Sequence, residues 1–464
     1  MKKTPAPTAQ PLGFERLYAL VFGLFLGFSI WKFGNPVILD HKIGEPDGFS
    51  DWLNNPWPTH LAIWILLPLA GIGFFAALTN KIIWPKPKWL WVLPGAWLVW
   101  QFASSSKSVD EGLSTPTVVQ FTGCVVSFFA GAVVLAKRQV LPWLLAGLLA
   151  FFTYCLIRAV DQHLFEFPAT YQVLSEGQRT GWTNFPPETI TSMREDNILV
   201  NTNGAEVVNP VILMKFQKGR VNGTLVYPNA LAGLILLLFP AAVALAFSTT
   251  RAMKPMVRYG VIGLVLFLGT ASFIWTGSKL GWLIALVLGG LYVLRLDWPV
   301  KLKWGATIAV LVLGLAVFAI RFHSYFAAGA TSVGARFDYW HAAVQTTAAN
   351  PVFGTGPGTF QRPYAQLKSP DAEMARLAHN DYLEQFSDSG IPAGILYAAW
   401  IGLALWVTGK RFWSKADTLQ FALFIGVLGW FIQGLGEFEL YVPALAWTAF
   451  TLLGALVGQK TSQD

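Results

Sequence analysis

Residues 336–390 hold the side chains best suited to bond-making chemistry in this 464-residue chain. Arg336 supplies a planar, permanently charged fork that matches phosphate oxygens. His379 carries the side chain whose ordinary pKa lies nearest neutrality, so beside a fixed cation it could take a proton from a hydroxyl. Asn380 and Glu384 follow it closely and are candidates for orienting the histidine or an acceptor. Each has a bland counterpart: Arg336 in an ion pair with Asp338 or Glu384, and His379 as a structural histidine. Between them lies Gly354-Thr355-Gly356-Pro357-Gly358. It lacks the preceding strand and following Lys-Ser/Thr of a phosphate loop, and reads as a turn that lets backbones approach closely.

Two helices are expected to position these residues. One runs over 332–349 and ends at Asn350-Pro351, with Arg336, Trp340 and Val344 on one face by their i, i+4 spacing. The other runs over 371–389, with Asp371 near its start and Gly390-Ile391-Pro392 closing it. On it His379, Leu383 and Phe386 share a face, with Asn380 and Glu384 adjacent.

Further polar candidates lie at the mouths of apolar segments. Lys215, Lys218 and Arg220 lead into Tyr227-Pro228-Asn229, where they would hold an anionic group or simply be solvated charges before a helix start. Lys279 occupies the tight turn Thr276-Gly277-Ser278-Lys279, either as a functional cation at depth or as a lysine snorkelling to the interface. Glu437 and Glu439 stand near the start of the last apolar segment, to orient His379, bind an acceptor or cap a helix end.

Almost everything else is apolar. Hydrophobic residues make up 54% of the chain and charged residues only 12%, about half the share of a soluble domain. Apolar runs recur at 17–33, 60–79, 89–105, 117–136, 140–158, 229–248, 257–276, 279–295, 303–320, 391–409, 418–435 and 440–458. These twelve describe an all-α polytopic membrane protein. With the N-terminus inside, the cytoplasmic pieces hold 18 of the 33 Lys and Arg residues and four of the 25 Asp and Glu, a balance of +14 against −6 outside. Positive charge inside places both termini in the cytoplasm. The pI of about 9.3 is thus a topology signal that needs no nucleic acid partner.

The chain divides into a cytoplasmic tail (1–16), five helices (17–158), a first long outer loop (159–228), four helices (229–320), a second, largely helical outer loop (321–390), three helices (391–458) and a short cytoplasmic tail (459–464). The first apolar run, at 17–33, reads as a retained span and not a cleaved signal, and the leading KKTPAPTAQP as a disordered tail. Long loops on one face locate the chemistry outside. In the first of them, the alternating NILVNTNGAEVVNPVILMKF suggests a hairpin turning at Asn203-Gly204. Cys124 and Cys155 fall inside apolar segments and read as buried hydrophobes. No acidic or His/Cys cluster calls for a metal, although Asp381, Glu384, Glu437 and Glu439 leave the question open.

The pattern R-x-x-x-W, N-P-V-F-G-T-G-P-G-T-F and H-N-D-Y-L-E-Q-F-S-D-S-G across 336–390 resembles the signature loop of the O-antigen ligase and polymerase superfamily of bacterial membrane glycosyltransferases. G-T-L-V-Y-P-N-A-L-A-G, T-G-S-K-L-G and E-F-E-L-Y-V-P-A extend the likeness from Arg220 onward. The resemblance, closest to the ligases, implies a multi-pass inner-membrane enzyme whose active site faces the periplasm. Its donor would be a glycan on undecaprenyl diphosphate, and its acceptor a hydroxyl of lipid A-core or another glycan. His379 would then be the general base or an acceptor-orienting residue, with Arg336, Lys279 and Arg220 on the diphosphate and Asn380, Glu384, Glu437 and Asn229 orienting or binding acceptor. Lys279 stands where the family has an arginine; it keeps the charge and loses the bidentate fork. The diphosphate already activates the sugar, so the resemblance implies no cofactor; membrane lipids are the remaining partners.

Two other readings share some of these features. A polymerase would use the same donor chemistry and differ in acceptor. A polysaccharide or lipid-linked sugar transporter would also suit twelve spans, but should show paired halves and charges near mid-membrane, and the apolar runs are nearly charge-free.

Overall fold

The structure is a computed structural model that describes residues 13–78, 88–202, 204–413 and 417–459. The tail up to residue 12, Lys81, Lys86, Asn203, Lys415, Lys460 and Asp464 lie outside the described residues.

Each of the twelve apolar runs coincides with a helix. Among the described residues, eight helices are long and apolar enough to cross a membrane. Four others, Val92–Ser105, Lys279–Arg295, Thr418–Gln433 and Pro443–Gly458, have only 14 to 17 residues, below the roughly 20 that span a bilayer core. Helices dominate because in lipid each backbone polar group must find its partner within its own segment.

Packing is organised around Pro443–Gly458, in which every residue from Pro443 to Val457 is buried. Gly13–Lys32, Glu111–Phe129, Asp381–Trp413 and Thr418–Gln433 all pack against it. Small residues bring the backbones together, as expected where helices gain little from the hydrophobic effect. A Cβ on Gly454 would sit 2.0 Å from the Phe128 carbonyl oxygen. The polar ends separate cleanly. At one end Glu15 pairs with Lys137, and Arg138 with Asp417; the long loops gather at the other.

The second long loop is largely helical, but its boundaries differ from expectation. Thr331–Ala349 forms as anticipated. Residues 371–380 are not helical, and the expected 371–389 helix begins only at Asp381. Tertiary contacts override the local helix propensity there: Ala378 donates its N–H to the Glu384 carboxylate at 3.1 Å, and Asp381 donates to the Gly434 carbonyl at 2.7 Å. His379, Leu383 and Phe386 therefore do not share a helical face. Asp381–Trp413 then runs on through a break at Gly390, whose φ of 81° and ψ of 173° interrupt it.

In the first long loop, Leu199–Thr202 pairs antiparallel with Ala205–Val208, with Leu199 opposite Val208. This hairpin is the only sheet among the described residues. The rest of the alternating stretch is a helix, Pro210–Lys218, started by Asn209, whose side chain caps the Val211 N–H.

Candidate active site

The site is built on a loop that sequence reasoning treated as secondary, residues 434–442 between the last two helices. Glu437 on this loop is completely buried, and its carboxylate is the meeting point of side chains from three other parts of the chain. Oε1 accepts from Arg336 Nη2 at 2.5 Å and from Asn229 Nδ2 at 2.7 Å. Oε2 lies 3.5 Å from His379 Nδ1. That distance is too long for a formed hydrogen bond, and both atoms are buried without a partner.

Arg336 is fixed on every side. Its Nε donates to the Gly436 carbonyl at 3.1 Å and its Nη1 to the Ser332 carbonyl at 3.2 Å. The expected ion-pair partners were Asp338 or Glu384; the partner is Glu437, brought from the far end of the chain. Trp340, one turn on, donates its ring N–H toward the His379 carbonyl at 3.4 Å. Val344, expected on the same face, is exposed.

His379 sits in the left-handed region at φ 52°, where His, Asn and Asp occur more often than other non-glycine residues. Its ring stacks on Tyr339, centroids 5.8 Å apart, and meets Phe438 edge-on at 4.7 Å. With Nδ1 buried against Glu437, Nε2 is the nitrogen left for a substrate. Asn380 caps the following helix, its Oδ1 accepting from the Tyr382 and Leu383 N–H groups. Glu384 lies underneath, with one oxygen on the Ala378 N–H and the other unpartnered. Both shape the His379 turn and neither joins the cluster at Glu437.

Arg220 enters from the mouth of Pro228–Thr249. It donates to the Thr276 carbonyl at 2.7 Å and to Asn229 Oδ1 at 2.8 Å. Burial draws its pKa down; Glu437 opposes this and Arg336 adds to it. Asn229 thus bridges Arg220 and Glu437. Lys279 stands at the rim, its ammonium 3.8 Å from the centre of the Tyr325 ring and 5.3 Å from that of Phe322, a cation–π contact. Its helix starts at Ser278, whose hydroxyl caps the Gly281 N–H. Arg220, Arg336, Lys218 and Arg321 all act on Lys279 electrostatically, and all are cationic. Lys215, on the helix before, makes its contact with the Phe216 ring.

The balance is positive. Arg336 and, through Asn229, Arg220 gather at one buried carboxylate, Glu437, and Lys279 stands near enough to both arginines to feel their charge. The second carboxyl, Glu439, is held well above the usual carboxylate range by burial, with Glu437 and Asp381 adding to the effect. It accepts from Gln433 Nε2 at 2.8 Å, and the same amide donates to the Asn229 carbonyl. Such an arrangement can hold an anion with more than one charge and present the His379 ring beside it.

Residues 262–398 match a protein-family model described as O-Antigen ligase. The match supports the resemblance to the O-antigen ligase and polymerase superfamily. No curated protein matches it. The matched segment contains Lys279, Arg336, His379, Asn380 and Glu384, while Arg220, Asn229 and Glu437 lie outside it. The match, together with eight helices among the described residues that are long and apolar enough to cross a bilayer, supports a multi-pass membrane protein of O-antigen ligase or polymerase type.

The glycine-rich turn supports the site from behind. Gly354, Gly356 and Gly358 all have positive φ, and Gly356 and Gly358 donate to the Asp388 carbonyl and carboxylate at 2.7 and 2.8 Å. It braces the Gly390 break, as a turn for close backbone approach should. Sequence reasoning missed Gln433, Tyr325, Tyr339 and Tyr227, the last stacked on Phe438 at 4.7 Å. Tyr227 stood within a motif already singled out, while Tyr339 and Tyr325 carried no signal beyond being aromatic. Cys124 and Cys155 are buried free thiols. Among the described residues no three His, Cys, Asp or Glu side chains are grouped to hold a metal ion.

Proposed function

We propose that this protein is a glycosyltransferase that moves a glycan from undecaprenyl diphosphate to an acceptor hydroxyl on the periplasmic face of the inner membrane. The favoured reaction is that of an O-antigen ligase, attaching polysaccharide to lipid A-core. The observation that carries the proposal is the convergence of Arg336 and His379 on the buried Glu437 carboxylate, with Arg220 joined through Asn229.

In this reading His379 Nε2 takes the proton of the acceptor hydroxyl as its oxygen bonds to the anomeric carbon. The bond from that carbon to the diphosphate oxygen breaks, and its electron pair leaves with the undecaprenyl diphosphate. Arg336, Arg220 and Lys279 meet the growing negative charge. Once the 3.5 Å gap closes on a bound substrate, Glu437 accepts a hydrogen bond from Nδ1–H, so that Nε2 is the basic nitrogen, and its charge stabilises the imidazolium once formed. A positioned base of this kind contributes roughly 10²- to 10⁴-fold. Attack opposite the diphosphate inverts the anomeric configuration, and recovery of product with the donor's configuration would exclude this geometry.

Sidedness follows from charge. The end that carries Glu15, Lys137, Arg138 and Asp417 is the basic one in the twelve-span reading and is assigned to the cytoplasm, which leaves the Glu437 end outside. The test is His379→Ala in a strain lacking the native copy, with surface glycan and lipid-linked donor read together. Loss of capped surface glycan with accumulation of long undecaprenyl-linked chains, at normal protein level, supports ligation. Accumulation of single repeat units identifies a polymerase, and unchanged glycan refutes the catalytic role of His379.

A further inference from the structure

A second polar cavity, of about 340 Å³, lies beside the site and shares none of its residues. His41, Asp110, Gly112, Gln361, Arg362 and Arg376 line it, from four separated parts of the chain. Arg362 is spoken for: its guanidinium holds the Asp110 carboxylate, Nε at 2.7 Å and Nη2 at 2.5 Å. Arg376 is half-buried and has no hydrogen-bond or ion-pair partner among the described residues. His41 likewise faces the cavity without one. The lining therefore carries two guanidiniums against one carboxylate, with an amide, an imidazole and the start of Glu111–Phe129 completing it.

Asp110 already caps that helix start, accepting from the Leu113 N–H at 3.3 Å, so the helix end alone does not make an anion site. The unpaired guanidinium does. A cation left without a partner, in a concave lining that also carries an amide and an imidazole, suits an anion carried on a polar, sugar-like body. Location matters as well. Arg376 precedes His379 by three residues in a non-helical stretch, and three residues reach at most about 11 Å, the length of about two sugar rings.

We infer that this cavity is an acceptor subsite, in which Arg376 binds an anionic group, a phosphate or a carboxylate, on a saccharide whose neighbouring hydroxyl is presented to His379. The inference rests on the transferase reading given above. It assigns the two substrates to different cationic groups: the lipid diphosphate to Arg336, Arg220 and Lys279, and the acceptor's own charge to Arg376. Asp110 keeps Arg362 in place and discourages a second full anion from settling in the cavity.

The probes are a phosphorylated hexose disaccharide, its uronic acid counterpart and the neutral parent, titrated against the full-length protein in lipid nanodiscs. The wild type should bind one charged probe at least about tenfold tighter than the neutral one, the better probe naming the anion. Arg376→Gln should lose that preference, and Arg376→Lys should recover part of it. Equal affinity of wild type for all three probes overturns the proposal, as does a preference that survives Arg376→Gln. Arg362→Gln provides a second reading of the same cavity should Arg376→Gln lower the yield of folded protein. Because binding is measured without turnover, a result in which His379→Ala leaves transfer intact would sink the catalytic reading while leaving the subsite standing.

Discussion

Replacing Glu437 by Gln removes one charge from the centre of the site while keeping its shape. Oε1 accepts two hydrogen bonds, from Arg336 at 2.5 Å and Asn229 at 2.7 Å. Bonds to a charged group contribute about 1.5–3 kcal/mol each, and neutral ones roughly half. The glutamine carbonyl can keep both contacts, so the expected loss of stability is about 1.5–3 kcal/mol, within the margin of a typical domain. The catalytic effect should be larger. The glutamine amide would occupy the place of Oε2, 3.5 Å from His379 Nδ1, and donate to that nitrogen. The ring proton then moves to Nε2, the atom that has to act as base. Loss of the correct tautomer lowers turnover by roughly 10²- to 10⁴-fold in hydrolases that orient a histidine through a carboxylate. Turnover of purified protein at saturating donor and acceptor, with thermal unfolding measured on the same sample, checks both numbers. The substitution should also add little in a protein that already lacks the His379 ring. Turnover within about threefold of wild type, or effects of the two changes that simply add, would refute the orienting role.

Three further outcomes follow from the geometry. Gly390→Ala should destabilise the protein by at least about 1–3 kcal/mol, since φ is 81° and a Cβ would sit 2.0 Å from the Val352 carbonyl oxygen; an unchanged unfolding midpoint would contradict it. Lys279→Gln should raise the donor KM about tenfold while leaving the acceptor KM unchanged, and Lys279→Arg should restore it; equal effects on both substrates would remove Lys279 from the diphosphate. Glu439 has a folded-state pKa raised by burial, so its favourable contribution is complete below the unfolded value of about 4.3 and is lost as pH rises toward the folded value. Glu439→Gln should therefore lose less stability than wild type between acid and neutral pH, and parallel pH profiles of thermal unfolding would disprove the assignment.

The helices were legible because a bilayer demands long apolar runs, which are visible without knowing any partner. The Arg336 helix was legible for a related reason, its Asn350-Pro351 end being a local signal. Residues 371–380 were not. Their Ala, Glu, Met and Leu content favours a helix, and contacts with Trp340, Tyr364, Lys368 and Glu384 hold them open. The importance of Glu437 was hidden by distance: its partners Arg336 and Asn229 lie 101 and 208 residues away in the chain. No local pattern announces such a meeting. Arg336 and His379 were identifiable from residue type and resemblance, but their pairing through one carboxylate was not. The left-handed backbone at His379 also had no sequence signal. It means that alanine there changes backbone strain as well as chemistry, and that asparagine, which tolerates this conformation, is the cleaner companion substitution.

The burial of Pro443–Gly458 on every side has a consequence for biogenesis. Ribosomal synthesis runs from the N-terminus, so the helices described here that enclose this one are made before it. They must wait in the bilayer with a gap, filled by lipid or held by an insertion factor, into which the enclosed helix moves from the side. The loop that carries Glu437 is drawn into place by the same movement. Until then Arg336 and Arg220 have no carboxylate to gather around, so an immature protein can be inserted in the membrane and yet lack the assembled cluster. Docking of one helix would thus separate the inserted protein from the working enzyme.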